Sequence, residues 1–181
     1  MSCWKNTGNC TNESAMHFAN RVNQALHDEH SATTALVQRL QQMIARHRRS
    51  PPSADDPAMA QLFTDLSGGA VAEVERHFAF EEQALFPCLD AMGEAAIGAH
   101  LTEEHGVLLQ LWVRLAALAR ELAAQGLDNA KWSEFRHVGD ELCEPMLAHV
   151  AKEEMALLPL LEANMDAATE VRLYQEYAQT A

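Results

Sequence analysis

Apolar residues recur along most of the chain at intervals of three and four positions, which is the pattern of an amphipathic α-helix. The clearest run predicts a helix from about Ser14 to Arg48. Its apolar face consists of Met16, Ala19, Val22, Leu26, Thr33, Leu36, Val37, Leu40 and Ile44. No stretch shows a competing β-strand pattern, so the sequence predicts an all-α fold.

Proline, glycine and capping residues divide the rest of the pattern into further helices. Asp56 and Pro57 form a helix start, and this second helix is predicted to run to about Leu89 with an irregularity at Gly68–Gly69. The later predicted helices are Glu94 to Gln125, Asp128 or Asn129 to Asn164 with a local kink at Pro145, and a short one from Ala167 to Thr180. Four long helices with short connections predict an up-down-up-down four-helix bundle, followed by a short C-terminal helix.

The chain contains an internal repeat. The segment HFAFEEQALFPCLD at 77–90 returns as HVAKEEMALLPLLE at 149–162, with eight of fourteen positions identical. A second pair, DEHSATTALVQRL at 28–40 and EEHGVLLQLWVRL at 103–115, carries Glu-His before an apolar run and ends in Arg-Leu. The bundle is therefore predicted to consist of two copies of one helical hairpin.

The repeated segments place histidine and glutamate on one helix face. His77 and Glu81, four residues apart, differ by about 40° in direction and about 6 Å in height. The neighbouring Glu82, and Glu154 in the second copy, are predicted to face solvent. Counting residues from each helix connection brings one histidine or histidine-glutamate pair from every helix to the same level. The predicted cluster is His30, His77, Glu81, His105, His149 and Glu153.

Such a cluster inside an apolar bundle predicts a metal site, because a buried charge must be paired or bound to a metal. A single pair of this spacing is usually a weak surface interaction, whereas two copies at one level point to ligands. Imidazole and carboxylate suit iron, zinc or manganese. The repeat predicts two metals, each with two imidazoles and with both glutamates as bridges. Open coordination positions would then remain for a small molecule.

The net charge of −13 argues against binding to nucleic acid or to an anionic membrane surface. No run of apolar residues is long enough to span a membrane, and no secretory signal is visible, so a cytoplasmic location is expected. The expected organisation is a flexible leader at 1–13, a bundle at 14–165 and a C-terminal helix or tail at 166–181. Cys3 and Cys10 in the leader could form a redox pair or bind a metal. The oligomeric state is left open.

The histidines and the two H-x-x-x-E segments make the chain resemble the hemerythrin-like family of HHE cation-binding domains over roughly residues 15 to 165. This resemblance implies a four-helix bundle with two iron ions, often oxo-bridged, that meets O2, NO or peroxide. Oxygen-carrying members place another histidine where this chain has Leu101, and His100 points about 140° away from His105. The four-histidine set is more similar to the iron-sulfur-repair and regulatory branches.

Two other interpretations remain open at this stage. A ferritin-like di-iron oxidase builds its site from E-x-x-H pairs, and the expected absence of such a pair from this chain is the feature that argues against it. A metal-dependent sensor or interaction module would change shape when the metal binds. No residue outside the ligand set is a clear acid, base or nucleophile, so turnover is not predicted. His27, one turn before His30, is a candidate second donor or gate, whereas a tyrosine ligand from Tyr174 or Tyr177 is not expected.

Overall fold

The computed structural model describes residues 17–180 of the chain, and its secondary structure there is helical without any strand. Two short π-helical turns, named π1 and π2, interrupt the α-helices. The elements are α1 (Arg21–Arg46), α2 (Pro57–Gly68), α3 (Ala70–Phe80), π1 (Glu81–Leu85), α4 (Phe86–Met92), α5 (Ala95–Gln125), α6 (Asn129–Lys152), π2 (Glu153–Leu157), α7 (Leu158–Asn164) and α8 (Ala167–Thr180). The all-α bundle predicted from the sequence is confirmed.

Side-chain caps and glycines explain where these helices begin and end. The first helix begins at Arg21, because the Asn20 side chain accepts hydrogen bonds from the backbone N–H groups of Val22 and Asn23. The predicted start near Ser14 lies outside the described residues. Asp128 caps α6 in the same way, which settles the choice between Asp128 and Asn129. Gly126 ends α5 with a φ of 91°, a conformation that favours glycine.

The second and fourth bundle helices each contain a π-turn directly at the predicted ligand glutamate. In π1 the Glu81 carbonyl accepts from the N–H of Phe86, and in π2 the Glu153 carbonyl accepts from that of Leu158. A proline follows one residue later in both cases, and its ring cannot occupy a regular α-helical turn without clashing. The widened turn accommodates that proline, and such turns are frequent at functional sites.

A buried polar layer crosses the bundle and separates two apolar cores. The larger core contains Trp112, Trp132 and Phe135. The smaller one contains Leu26, Leu85 and other side chains near the opposite end. Along every bundle helix the chain passes from one core, through a buried histidine, to the other core. The layer is therefore built by the bundle as a whole and not by any one helix.

Helix α8 folds back over the bundle and contacts α1, α3 and π1. Arg21 forms an ion pair with Glu170 at 2.9 Å, and its guanidinium lies 4.4 Å from the centre of the Tyr174 ring. Tyr177 packs edge-on against Phe80 beside the polar layer. No helix within residues 17–180 is long and apolar enough to cross a membrane.

Candidate metal centre

The structure brings all six residues predicted as ligands into the polar layer. His30 lies on α1, His77 and Glu81 at the junction of α3 and π1, and His105 on α5; His149 and Glu153 lie at the junction of α6 and π2. All six are buried, and the most exposed of them, His77, has only 7% of its surface accessible. The level predicted by counting along the helices is therefore the level at which these side chains meet.

Within this layer the ligand atoms form two groups that share both glutamates. One group contains His30 and His77, the other contains His105 and His149, and Glu81 and Glu153 belong to both. The atoms of each group lie within 4.8 Å of one another. We call the first group the His30–His77 half and the second the His105–His149 half.

Each shared carboxylate directs one oxygen towards each half. Glu81 Oε1 lies 3.5 Å from His77 Nε2, and Glu81 Oε2 lies 3.3 Å from His105 Nε2. Glu153 Oε2 lies 3.1 Å from His30 Nε2, while its Oε1 lies 3.0 Å from His149 Nε2. This division of the oxygens is the arrangement that a bridging carboxylate needs.

A second set of carboxylates holds the far side of every imidazole ring. Each Nδ1 lies within hydrogen-bond distance of one glutamate, and such partners fix the ring and its tautomer in metal sites. The pairs are His30 with Glu154 at 2.6 Å, His77 with Glu29 at 2.6 Å, His105 with Glu82 at 2.9 Å and His149 with Glu104 at 2.9 Å. We call these four glutamates the outer carboxylates.

The prediction that the side chain faces solvent is met for Glu82, which is exposed, and is wrong for Glu154. Glu82 is exposed on one side, yet its Oε1 binds His105, and Glu154 is largely buried against His30. A residue next to an inward-facing one points about 100° away, towards the neighbouring helix of a bundle. The Glu-His and Glu-Glu doublets of the repeat are the sequence signal that would have identified all four outer carboxylates.

The hydrogen bonds of the layer leave unshared electron pairs facing each other. Because each neutral imidazole donates its Nδ1 proton to a carboxylate, its Nε2 carries a lone pair. His30 Nε2 and His77 Nε2 nevertheless lie 3.2 Å apart. Both oxygens of Glu81 and of Glu153 are buried without a hydrogen-bond partner of suitable geometry among the described residues. Such a concentration of acceptors is stable only with positive charge between them.

The raised pKa values of two histidines also indicate that the layer favours positive charge. Burial lowers the pKa of His30, but the nearby carboxylates of Glu153 and Glu154 reverse this and raise it to about 10. Burial likewise lowers the pKa of His105, and the nearby carboxylates of Glu153 and Glu81 bring it to about 9. Protons and metal cations compete for these nitrogens. The surrounding carboxylates stabilise a cation of either kind in the layer.

The outer carboxylate of Glu29 accepts three side-chain hydrogen bonds. Burial alone would raise the pKa of its carboxyl group. Hydrogen bonds from His77, Arg76 and Tyr177 more than reverse that effect and bring this pKa to about 2. The Tyr177 hydroxyl donates to Glu29 Oε1 at 2.6 Å, so α8 reaches the polar layer through a relay and not as a direct ligand.

The two halves have different surroundings. The Phe78 ring stacks on His105 with 3.8 Å between centroids and 6° between planes, and Phe86 covers the same imidazole at 5.8 Å. The His30–His77 half instead borders a cavity of about 500 Å³. Its polar wall contains Arg76 and Tyr177. Aromatic rings thus seal one half, whereas the other faces open space.

The remaining candidate residues have more ordinary positions. His27 lies at the edge of the layer, where its Nδ1 is 2.8 Å from Glu154, and this fits the role of an outer donor. His100 and His137 are exposed and pair with Glu104 and Glu141. Cys143 is buried and Cys88 partly buried, with both thiols free. Cys3 and Cys10 lie outside the described residues.

The chain does contain one E-x-x-H spacing, from Glu134 to His137. Their side chains are 48% and 70% exposed, and they lie on the bundle surface far from the predicted ligand set. Leu101 is buried in the smaller apolar core, at the position where oxygen-carrying hemerythrins place a further histidine. The described site therefore has four histidines.

The chain matches the model of a known protein family. The family model described as the hemerythrin HHE cation binding domain matches residues 21–128, which is more than half of the chain. The match ends at the N-cap of α6, so His149 and Glu153 lie beyond it. No curated protein matches the chain, and no solved structure does either.

Proposed function

The chain belongs to the hemerythrin HHE cation-binding family, and from this premise we propose that it is a non-haem di-iron protein. It binds or reacts with O2, NO or peroxide, or handles iron in stress response and repair. The metal ligands are His30, His77, Glu81, His105, His149 and Glu153. The His30–His77 half would hold one iron and the His105–His149 half the other, and Glu81 and Glu153 would contribute to both.

The observation that carries this proposal is the convergence of lone pairs in the layer. Four Nε2 atoms and four carboxylate oxygens point at the same small volume, and each Nδ1 is already engaged by an outer carboxylate. The donor set is imidazole nitrogen and carboxylate oxygen, which suits iron and also manganese or zinc. A helix-packing role alone would not need acceptors turned towards acceptors.

Charge balance supports divalent ions in both halves. Six carboxylates line the layer, namely the two bridging and the four outer ones. Among the described residues, the permanent cations that form ion pairs with them are Arg76, on Glu29, and Lys152, on Glu104. With the imidazoles neutral, this leaves about four negative charges. Two divalent cations would neutralise them, and a single one would not.

The number of ligands supports small-molecule chemistry. Two imidazoles and two bridging oxygens provide four protein ligands to each ion, so a six-coordinate iron keeps positions for a small ligand. Bound iron would supply redox chemistry and a binding position for a diatomic molecule. The protein's own groups orient the imidazoles, exclude water from the sealed half and leave access beside His30 and His77. The lack of a fifth histidine at Leu101 favours the repair or regulatory branch over an oxygen carrier.

The test is metal analysis with visible spectra of protein purified without oxygen, before and after O2 or NO is added. We expect two irons per chain in the wild type and a spectral change with at least one of the gases. The double variant His77→Ala/Glu81→Ala should lose most of the metal, because it removes one imidazole and a bridge common to both halves.

The chain offers a matched control with the same spacing. The double variant His137→Ala/Glu141→Ala alters an H-x-x-x-E pair on the surface and should keep the wild-type metal content. Retention of full metal by the His77/Glu81 variant would contradict the ligand assignment. Zinc or manganese in place of iron, with no response to either gas, would contradict the di-iron function while leaving the ligands in place.

A further inference from the structure

The cavity beside the His30–His77 half is much larger than a diatomic ligand requires. It lies between α1 and α3 and has a volume of about 500 Å³. A water molecule, similar in size to O2 or NO, takes up about 30 Å³ in the liquid. Pockets that hold small organic molecules span about 300–1,000 Å³. The cavity therefore has the dimensions of an organic ligand site.

The inner wall of the cavity is apolar and aromatic. Leu36, Val74 and Phe78 line it, and Trp112 and Met146 form its inner end. The indole N–H of Trp112 has the thioether sulfur of Met146 as its acceptor at 3.5 Å. A thioether is a weak acceptor, so this N–H gains little from the contact. The inner end thus fits an apolar group.

The outer wall carries a guanidinium whose charge is already paired. Arg76 Nη2 donates to Glu29, and the guanidinium lies 5.5 Å from the centre of the Tyr177 ring. Arg76 Nη1 is buried against the protein, where a molecule in the cavity does not reach it. The outer wall therefore offers little positive charge to an anionic ligand.

The charges around the opening decide which ligands fit. Glu29 and Glu73 both line the cavity, and Arg76 is the one permanent cation among the described residues of its lining. A carboxylate ligand would meet this excess of negative charge, in a chain whose net charge is −13. An ammonium ligand would meet the Arg76 guanidinium, and its own charge would have to leave water for an apolar wall. A neutral ligand avoids both problems.

We propose that this cavity binds a neutral organic molecule with a largely apolar body. The ligand lies against His30 and His77, next to the half of the centre that a small molecule can reach. The site rests on the shape, polarity and charge of the cavity, and it does not depend on which metal the layer holds.

Isothermal titration of the full-length, metal-loaded protein tests the proposal with three probes of similar length: methyl hexyl ketone, octanoate and octylamine. We expect the ketone to bind at least about tenfold more tightly than the two charged probes. Equal binding of all three, tighter binding of a charged probe, or no binding of the ketone would overturn the proposal.

A pair of neighbouring variants separates this cavity from any other apolar surface. Thr33 lines the cavity and the adjacent Thr34 does not, although both are half-buried on α1. Thr33→Trp should weaken ketone binding at least about tenfold, and Thr34→Trp should leave it within about twofold of the wild type. Equal effects of the two variants, with circular dichroism confirming that both fold, would overturn the assignment to this cavity.

A third variant examines the charge argument at an exposed position. Glu73→Gln removes a negative charge from the opening. It should reduce the ratio of the octanoate Kd to the ketone Kd by at least about threefold. An unchanged difference would show that charge does not select the ligand. None of these titrations depends on iron, so their failure would leave the di-iron proposal intact, and a different metal would leave the cavity proposal intact.

Discussion

The His30–His77 half and the His105–His149 half contain the same kinds of side chain but have different surroundings. Each half has two imidazoles, one oxygen from each bridging glutamate and an outer carboxylate on every Nδ1. Yet two phenylalanine rings cover His105, while a cavity opens beside His30 and His77. Ligands that are repeated in the sequence do not imply equal access.

This difference distinguishes two properties of the site: where a metal can bind, and where a further molecule can approach. The repeated histidines and glutamates are the proposed metal ligands. The aromatic and small side chains around them, which the repeat does not preserve, determine where a further molecule can approach. Phe78 has a particular place in this comparison, because it lines the cavity and also stacks on His105.

The variant Phe78→Ala should have the largest effect on the difference in access between the two halves, because it removes the ring between the cavity and the sealed half. Loss of a buried phenylalanine costs about 3–5 kcal/mol of unfolding free energy. We expect that loss in urea denaturation, together with NO binding to both halves in place of one. The control Phe63→Ala, also buried but in the larger core away from the layer, should lose similar stability without changing NO stoichiometry.

Replacing one outer carboxylate at a time should act on one half at a time. Glu29→Gln weakens the support of His77, and Glu104→Gln weakens that of His149. Loss of such a partner typically lowers metal affinity about 10–100-fold. We expect chelator competition to show one fast-leaving and one slow-leaving metal in each variant, with the His30–His77 half affected in Glu29→Gln and the other half in Glu104→Gln.

The two variants also differ in a way that the structure specifies. Glu29→Gln leaves the Arg76 guanidinium without its carboxylate, whereas Lys152, the ion-pair partner of Glu104, is nearly half exposed and can turn to water. The Glu29 variant should therefore lose more stability. Simultaneous and equal release of both metals in either variant would contradict the division of the centre into halves.

The smallest expected effect is that of Tyr177→Phe, which removes only the hydroxyl that donates to Glu29. A single hydrogen bond to a carboxylate contributes about 1.5–3 kcal/mol, and the half-buried position favours the lower end. We expect a loss near that lower value in urea denaturation and faster metal release from the His30–His77 half alone. Tyr174→Phe on the same helix is the control, and an equal effect there would point to general loosening of α8.

The six inner residues could be predicted from sequence because they follow two simple periodicities. The H-x-x-x-E spacing places a pair on one face, and the distance from each loop sets its level along the bundle. Spacing alone is insufficient, since His100–Glu104 and His137–Glu141 have it and their histidines are exposed. What distinguished the inner pairs was their apolar neighbourhood and their repetition.

The remaining features depend on contacts between helices, which the periodicity of a single helix does not determine. The outer carboxylates reach across to a neighbouring helix, as Glu29 does to His77. The π-turns depend on how a proline is accommodated six residues after each shared glutamate. The docking of α8 and the position of Tyr177 depend on the path of a loop. The cavity is a property of packed side chains, which no single segment specifies.

The internal repeat has a consequence for symmetry. Neither hairpin holds a complete set of predicted ligands, since each half takes one bridging glutamate from the other hairpin. Two separate copies of a single hairpin could assemble the same ligands, but a dimer of identical chains must present every feature twice. An open half would then require two open halves. When the two hairpins are joined in one chain, that restriction no longer applies. The surroundings of the two halves can then differ, although their histidines and glutamates remain paired.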